Sequence, residues 1–197
     1  TVPVSRAEGI DRARVARSAF WSVLENGGLA AISFVCLLVY ARMLGPAEFG
    51  IYASLIALVE LLGVLVVMTF HDVLIQKDDV TPRHRDTAFT VSMLGGIVLL
   101  VGCCLAASHF VEWIQAESSA SAMLCLLAMA FPANALGAVQ LPARRRALEF
   151  RFLAIRSVGS RLLGAAVGIA MVAYGHGVWG LIAQHLVTMW AMSLALW

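Results

Sequence analysis

The chain has 197 residues, of which 61% are hydrophobic and 13% are charged, and its formal net charge is +2. Soluble domains are about half apolar and about a quarter charged, so this composition departs from theirs in both directions. A chain of this length could not hide so much apolar surface from water, which excludes a soluble globular protein and indicates that its solvent is lipid.

Long apolar runs follow a polar, basic N-terminal segment, residues 1–19. A helix needs about 20 predominantly apolar residues to cross a bilayer. Six runs reach this length, and they predict an all-α integral membrane protein with one six-helix transmembrane domain over residues 20–197. The runs are Phe20–Tyr40, Ile51–Phe70, Ala88–Ala107, Ala120–Leu141, Leu153–Tyr174 and Val178–Trp197.

Glycine and proline residues mark the predicted breaks and contacts of these helices. Gly45-Pro46 separates the first helix from the second, and the Gly-His-Gly sequence of residues 175–177 separates the fifth from the sixth. Pro132 and Gly137 are predicted to interrupt the fourth helix, which membrane proteins tolerate where neighbouring helices satisfy the freed carbonyl groups. Gly164 and Gly168 lie one turn apart in the fifth run, and such small residues predict close helix packing.

The placement of Lys and Arg predicts the orientation, because positively charged loops resist translocation. With a cytoplasmic N-terminus, 12 of the 14 basic residues lie on the inner side of the membrane. The sequence therefore predicts a multi-pass protein with a cytoplasmic N-terminus. The inner residues are Arg6, Arg12, Arg14, Arg17, Lys77, Arg83, Arg85, Arg144, Arg145, Arg146, Arg151 and Arg156.

Charged residues inside the apolar runs are the first candidates for function. Each costs about 2.5–3.5 kcal/mol on insertion scales at the centre of a spanning helix, so each needs a physical reason. Glu60 and Arg161 lie near mid-depth in their runs, and two interpretations remain open: a structural ion pair, or a polar cavity for an anionic or proton-coupled cargo. Glu25 lies one to two turns inside the first helix, and Arg42 lies at its outer end, where it can also reach the headgroups. The candidate cavity residues are thus Glu25, Arg42, Glu60 and Arg161.

A second candidate site is the cluster formed by Arg144, Arg145 and Arg146 together with Arg151. These residues could bind anionic headgroups, or a pyrophosphate-linked lipid that arrives from the cytoplasm. Topology signalling alone explains the cluster equally well.

Catalytic, metal-binding and nucleic-acid-binding signals are weak throughout the chain. The five histidines are scattered, and the four cysteines lie inside apolar runs without CxxC spacing. We therefore expect no enzyme activity, no cofactor, no metal site and no nucleic-acid partner.

Four segments resemble motifs of one transporter family in order and spacing. Residues 40–52, YARMLGPAEFGIY, resemble an "ARxLGPxxFGxY" signature, and residues 74–89 resemble a "LIQ…TxF" stretch. Residues 146–152, RALEFRF, are similar to the "xLxRxxxF" approach to a fifth helix, and residues 175–181, GHGVWGL, to a "GxGVWxLV" entrance to a sixth. On these motifs the chain resembles the bacterial oligosaccharide flippases of the multidrug/oligosaccharidyl-lipid/polysaccharide exporter superfamily, in the colanic-acid-exporter-like branch.

This resemblance implies a bacterial inner-membrane transporter of about twice this length, with twelve to fourteen helices in two lobes. It implies alternating-access flipping of undecaprenyl-pyrophosphate-linked oligosaccharide, with membrane lipids, a coupling ion (H⁺ or Na⁺) and polysaccharide-assembly proteins as partners. Because the chain lacks an initiator Met and ends inside an apolar run, we expect it to be the N-terminal lobe of a longer protein. The alternatives are a small-molecule or multidrug antiporter of the same superfamily, and an integral-membrane glycan polymerase or acyltransferase.

Overall fold

A computed structural model describes residues 5–75, 82–117, 119–138, 140–146 and 149–197, with side chains for 20–64, 89–117, 119–138, 140–142, 144–145 and 149–197. The regular structure in these ranges is entirely helical, which confirms the predicted all-α class. The helices are α1 (Ser5–Met43), α2 (Pro46–Ile75), α3 (Pro82–Trp113), α4 (Ser119–Ala128), α5 (Ala130–Gly137), α6 (Gln140–Arg146), α7 (Phe150–Ala173) and α8 (Val178–Leu194).

The break between α1 and α2 and the break between α7 and α8 lie where the glycines and prolines predict them. Pro46 is the first residue of α2 and Pro82 the first of α3, a position where the missing N–H has no helical partner to lose. Between α7 and α8 the chain turns through Gly175 and Gly177, whose φ angles are +87° and +52°. A side chain disfavours this left-handed region, so glycine permits the tight reversal.

The fourth apolar run forms α4, α5 and the first two residues of α6, because Pro132 interrupts it and Pro142 follows directly after it. A proline ring inside a helix clashes with the carbonyl group four residues earlier. Ala128, four residues before Pro132, is the last residue of α4, and Ala138, four residues before Pro142, lies between α5 and α6. The interruptions predicted at Pro132 and Gly137 are confirmed, because α4 ends at Ala128 and α5 ends at Gly137.

Five helical segments are long and apolar enough to span a membrane: Phe20–Met43, Pro46–Val64, Phe89–Trp113, Ser119–Gly137 and Phe150–Ala173. The sixth predicted span corresponds to α8, a shorter apolar helix of 17 residues. At 1.5 Å per residue it is about 26 Å long, slightly less than the hydrocarbon core of about 30 Å.

The helices pack in two connected groups. Helix α7 lies against both α1 and α8, whereas α3 lies against α4 and α5. Contacts of α8 with α5, α4 and α2 join the groups into one bundle. Large apolar side chains such as Phe34 (61% exposed) and Leu105 (76% exposed) cover the outside, as expected for helices solvated by lipid.

Helices α7 and α8 meet along a contact that we call the α7–α8 seam, in which three glycines allow close approach. Its residues are Gly164 and Gly168 of α7 with Gly180, Gln184 and Thr188 of α8. A Cβ atom added at Gly168 would lie 2.6 Å from the Gln184 Cβ and 2.8 Å from the Gly180 carbonyl oxygen. The backbones therefore approach too closely for a side chain. The close packing predicted for Gly164 and Gly168 is confirmed.

One end of the bundle gathers α6, the start of α7 and the end of α8, and we call it the arginine end. Arg144 Nη2 donates a hydrogen bond to the Leu196 carbonyl oxygen (3.2 Å), and Arg156 Nη1 donates one to the Met192 carbonyl oxygen (3.0 Å). The indole N–H of Trp197 reaches the Leu136 carbonyl oxygen at 3.4 Å. These contacts fix α8 against the preceding helices at this end.

Candidate functional site

One cavity in the described part of the chain has a volume of about 510 Å³, and we call it the large cavity. Helices α2, α5 and α8 form most of its wall, and α3, α6 and α7 contribute single polar side chains or short stretches. Its charged and polar lining residues are Glu60, Ser92, Asn134, Arg145, Arg156, His185 and Ser193. The remaining wall is mostly apolar, so these groups stand out as the possible ligands of a polar cargo.

Local packing positions the charged groups of the large cavity. Glu60 follows the buried Val59 on α2 and is itself exposed. Arg156 on α7 is held by its bond to the Met192 carbonyl oxygen, while its Nε atom is buried without a hydrogen-bond partner among the described residues. Arg145 on α6 is exposed and lines the same cavity. One carboxylate and two guanidinium groups thus face a common space.

A second, smaller cavity of about 150 Å³ lies between α1, α2, α7 and α8, and we call it the small cavity. Arg161 lines it and donates a hydrogen bond from Nη2 to Ser33 Oγ at 2.8 Å. The Tyr40 hydroxyl donates to Gln184 Oε1 across the same space. Gly168 makes this contact possible, because a Cβ atom there would collide with the Tyr40 hydroxyl.

The structure separates the two mid-depth charges of the sequence. Glu60 lines the large cavity and Arg161 lines the small one. Among the described side chains, the recorded salt bridge joins Arg144 to Glu149 rather than Glu60 to Arg161. The ion-pair interpretation is therefore not supported, and the assignment of Glu60 and Arg161 to a substrate or ion site stays a prediction.

The other two candidate cavity residues lie outside both cavities. Glu25 is half-buried on α1, where it interacts electrostatically with Arg156. Arg42 is exposed in the last turn of α1, a position that suits an interfacial anchor. Glu25 thus acts on the large cavity only through its electrostatic effect on Arg156, and no contact in the described part of the chain ties Arg42 to either cavity.

The described side chains of the predicted arginine cluster have different surroundings. Arg144 forms a salt bridge with Glu149 (3.1 Å), and its guanidinium carbon lies 4.4 Å from the centre of the Phe152 ring. Arg151 lies 6.0 Å from the centre of the Trp21 ring, and Arg145 lines the large cavity instead. The side chain of Arg146 lies outside the described residues. Headgroup binding by this cluster stays a prediction.

Five of the charged and polar residues of the large cavity were not candidates from the sequence: Ser92, Asn134, Arg156, His185 and Ser193. Arg156 was counted only as a topology signal, although it lies within the fifth apolar run. Asn134 lies between Pro132 and Gly137 in an otherwise apolar stretch, and a polar side chain in such a stretch could have indicated a cavity. His185 is 7% exposed on α8, and nothing in the sequence distinguishes it from a packed histidine.

Comparison with known proteins agrees with this architecture. The chain is 27% identical over 176 residues to the succinoglycan biosynthesis transport protein ExoT of Rhizobium meliloti (strain 1021), an alignment that covers 88% of the chain and 35% of the relative. The chain thus spans about a third of the length of that protein. No solved structure matches the chain. A family model described as "Polysaccharide biosynthesis protein" matches residues 39–197. The chain therefore belongs to the polysaccharide biosynthesis protein family.

Proposed function

We propose that the protein containing this chain moves lipid-linked oligosaccharide across the cytoplasmic membrane during polysaccharide biosynthesis. The observation that carries this proposal is the large cavity, which brings Glu60, Arg145 and Arg156 together among apolar, membrane-spanning helices. The relative is named as a transport protein of succinoglycan biosynthesis, which favours transport of a glycan over its synthesis.

The chemistry of such a cargo matches the lining of the large cavity. A sugar headgroup with a pyrophosphate cannot cross hydrocarbon unaided, because burial of unpaired charge is prohibitive. Arginine offers bidentate, charge-assisted hydrogen bonds to phosphate oxygens. Arg145 and Arg156 would hold the pyrophosphate while the lipid tail remains in the bilayer.

Glu60 and its surroundings suit a role in coupling. A carboxylate that lines the same cavity as two arginines can release and take up a proton as the cargo enters and leaves. The transport cycle we propose is alternating access, in which this helical unit forms one wall of the pathway and a second lobe forms the other. Polysaccharide-assembly proteins would deliver the precursor or accept the product.

Two other functions remain as alternatives. A small-molecule or multidrug antiporter would use Glu60 to bind a cationic substrate, but two arginines beside Glu60 disfavour a cation in the large cavity. A glycan polymerase or acyltransferase would need a catalytic constellation. The cavity residues and the name of the relative favour the transport of lipid-linked oligosaccharide over both alternatives.

The transport proposal is tested with Arg145→Gln and Arg156→Gln in the native protein. Each change removes a charge-assisted phosphate contact, and we expect the surface polysaccharide to fall by about tenfold or more. The lipid-linked precursor should accumulate in the inner leaflet. Surface polysaccharide, precursor and the amount of inserted protein are measured together.

The matched control is Glu112→Gln, which neutralises an exposed charge near the end of α3, outside the large cavity. It should leave export and protein amount unchanged. Normal export by both arginine variants at normal protein levels would exclude the large cavity as the cargo site. Arg145→Gln is the cleaner variant, because Arg156 also holds the Met192 carbonyl group.

The proposed orientation places the arginine end on the cytoplasmic side, following the distribution of basic residues. Single cysteines at Glu149 and at Glu117, in a variant that lacks the four natural cysteines, test it directly. A membrane-impermeant thiol reagent should label position 117 in intact cells and position 149 only after permeabilisation. Labelling of position 149 in intact cells, with labelling of position 117 only after permeabilisation, would contradict the proposed orientation.

A further inference from the structure

The small cavity presents hydrogen-bond donors on three helices. Arg161 enters from α7, Gln184 from α8 and Tyr52 from α2. Ser33 and Tyr40 of α1 complete the polar part of the wall. Phe49 and Leu181 belong to its apolar part.

The hydrogen bonds already formed decide which groups remain available. The Ser33 hydroxyl donates to the Leu29 carbonyl oxygen at 2.8 Å, so its lone pair accepts the bond from Arg161 Nη2. Gln184 Oε1 accepts from the Tyr40 hydroxyl. Ser33 and Gln184 Oε1 thus each accept one hydrogen bond already, whereas the Gln184 amide N–H groups and most of the Arg161 guanidinium are left to donate.

The small cavity carries the positive charge of Arg161, which forms no salt bridge within the described residues. The charge of Glu60 reaches this cavity only at a distance, through its electrostatic effect on Tyr52. No carboxylate is among the residues that line it. Arg161 has no salt bridge there, and its Nε atom is buried without a hydrogen-bond partner. A guanidinium in a membrane-spanning helix is stabilised by an opposite charge, by backbone carbonyl groups or by a water-filled cavity, and an anion would supply the first of these to Arg161.

The volume of the small cavity limits the size of that counter-charge. About 150 Å³ is about five times the volume that one water molecule occupies in the liquid. This space accepts a small inorganic ion with a partial water shell, but not an oligosaccharide headgroup.

We propose that the small cavity is a binding site for a small inorganic anion of the chloride type, held by the Arg161 guanidinium and the Gln184 amide. This site is separate from the large cavity and does not depend on the proposed transport function. The anion would neutralise Arg161 and join α1, α7 and α8 around one charge.

Anion binding is tested on the purified native protein in detergent, with sodium gluconate exchanged for sodium chloride at constant ionic strength. Chloride should raise the midpoint of thermal unfolding in a saturable manner, because a ligand of the folded state stabilises it. The ³⁵Cl NMR line should broaden in proportion to the protein concentration. The Arg161→Gln variant should lose both effects.

Two further variants keep the result decisive. Arg151→Gln removes an equal charge beside Trp21, outside the small cavity, and should retain the chloride response. Arg161→Lys keeps the charge but loses the planar fork, and should weaken chloride binding by about tenfold. The Arg161→Lys variant provides the test of chloride binding if the Arg161→Gln variant does not fold. The proposal is overturned if wild-type protein does not respond to chloride, or if Arg161→Lys and Arg161→Gln respond as strongly as wild type.

Discussion

The α7–α8 seam and the large cavity are built on opposite principles within one helical bundle. At the seam, glycines allow two backbones to touch, and a Cβ atom at Gly168 or Gly180 would meet atoms closer than 3 Å. At the large cavity, a Cβ atom on the lining residue Gly63 would meet its nearest neighbour, a ring carbon of Phe131, at 3.9 Å. The seam leaves no space for a side chain, and the cavity leaves about 510 Å³ for a cargo.

This difference shows that some helix contacts in a lipid-solvated bundle hold the helices together, whereas others leave space for a ligand. Without a hydrophobic driving force between them, helices in lipid associate by close van der Waals packing and interhelical hydrogen bonds. The seam supplies both, with its glycines and with the Tyr40–Gln184 hydrogen bond that reaches it from α1.

The largest expected effect comes from Gly168→Ala, which places a methyl group into the seam. The new Cβ would lie 2.6 Å from the Gln184 Cβ and 2.8 Å from the Gly180 carbonyl oxygen, so the helices must separate. We expect a loss of stability of about 1–3 kcal/mol, typical of overpacking. The midpoint of thermal unfolding in detergent measures it.

Two glycine changes serve as controls for this prediction. Gly159→Ala lies on the same helix, where a Cβ atom meets nothing within 4 Å, and Gly63→Ala lies in the wall of the large cavity. Both should be neutral or slightly stabilising, because alanine favours helix over glycine. Equal destabilisation at positions 168 and 63 would remove the distinction between seam and cavity.

A smaller effect is expected from Tyr40→Phe, which removes the hydroxyl bound to Gln184. The buried Gln184 amide oxygen would lose its partner, at a cost of about 1–2 kcal/mol. Tyr174→Phe is the matched control, because Tyr174 is 84% exposed. If both changes lower the unfolding midpoint equally, the hydrogen bond adds nothing to the seam.

Much of the fold could be predicted because its causes are local. The lengths of the apolar runs set the spans, and Pro46, Pro132 and Gly175 set the breaks, since each acts on its own turn of backbone. Motif similarity pointed to exporters of polysaccharide precursors, and the family model now shows membership of a polysaccharide biosynthesis family. The shorter α8 was not predicted.

The candidate site could be predicted only in part. Glu60 and Arg145 were identified as candidates, and both line the large cavity. Arg156 was missed because a basic residue near a predicted helix start looks like a topology signal. Arg144 was grouped with Arg145, although neighbouring residues of a helix point in different directions. The Arg144 side chain contacts Glu149 and Phe152 instead of the large cavity.

The sequence by itself determined the depth of each charged residue, and only the tertiary structure decided which charges share a space. Glu60 and Arg161 lie at similar depth, because depth follows from position along an apolar run at 1.5 Å per residue. The direction in which each side chain points around the bundle depends on how α7 packs between α1 and α8, and on how α2 packs against α4 and α8. Such packing arises from contacts between residues far apart in the chain, such as Gly168 with Gln184 and Tyr40. For that reason Arg161 joins the small cavity and Glu60 the large one.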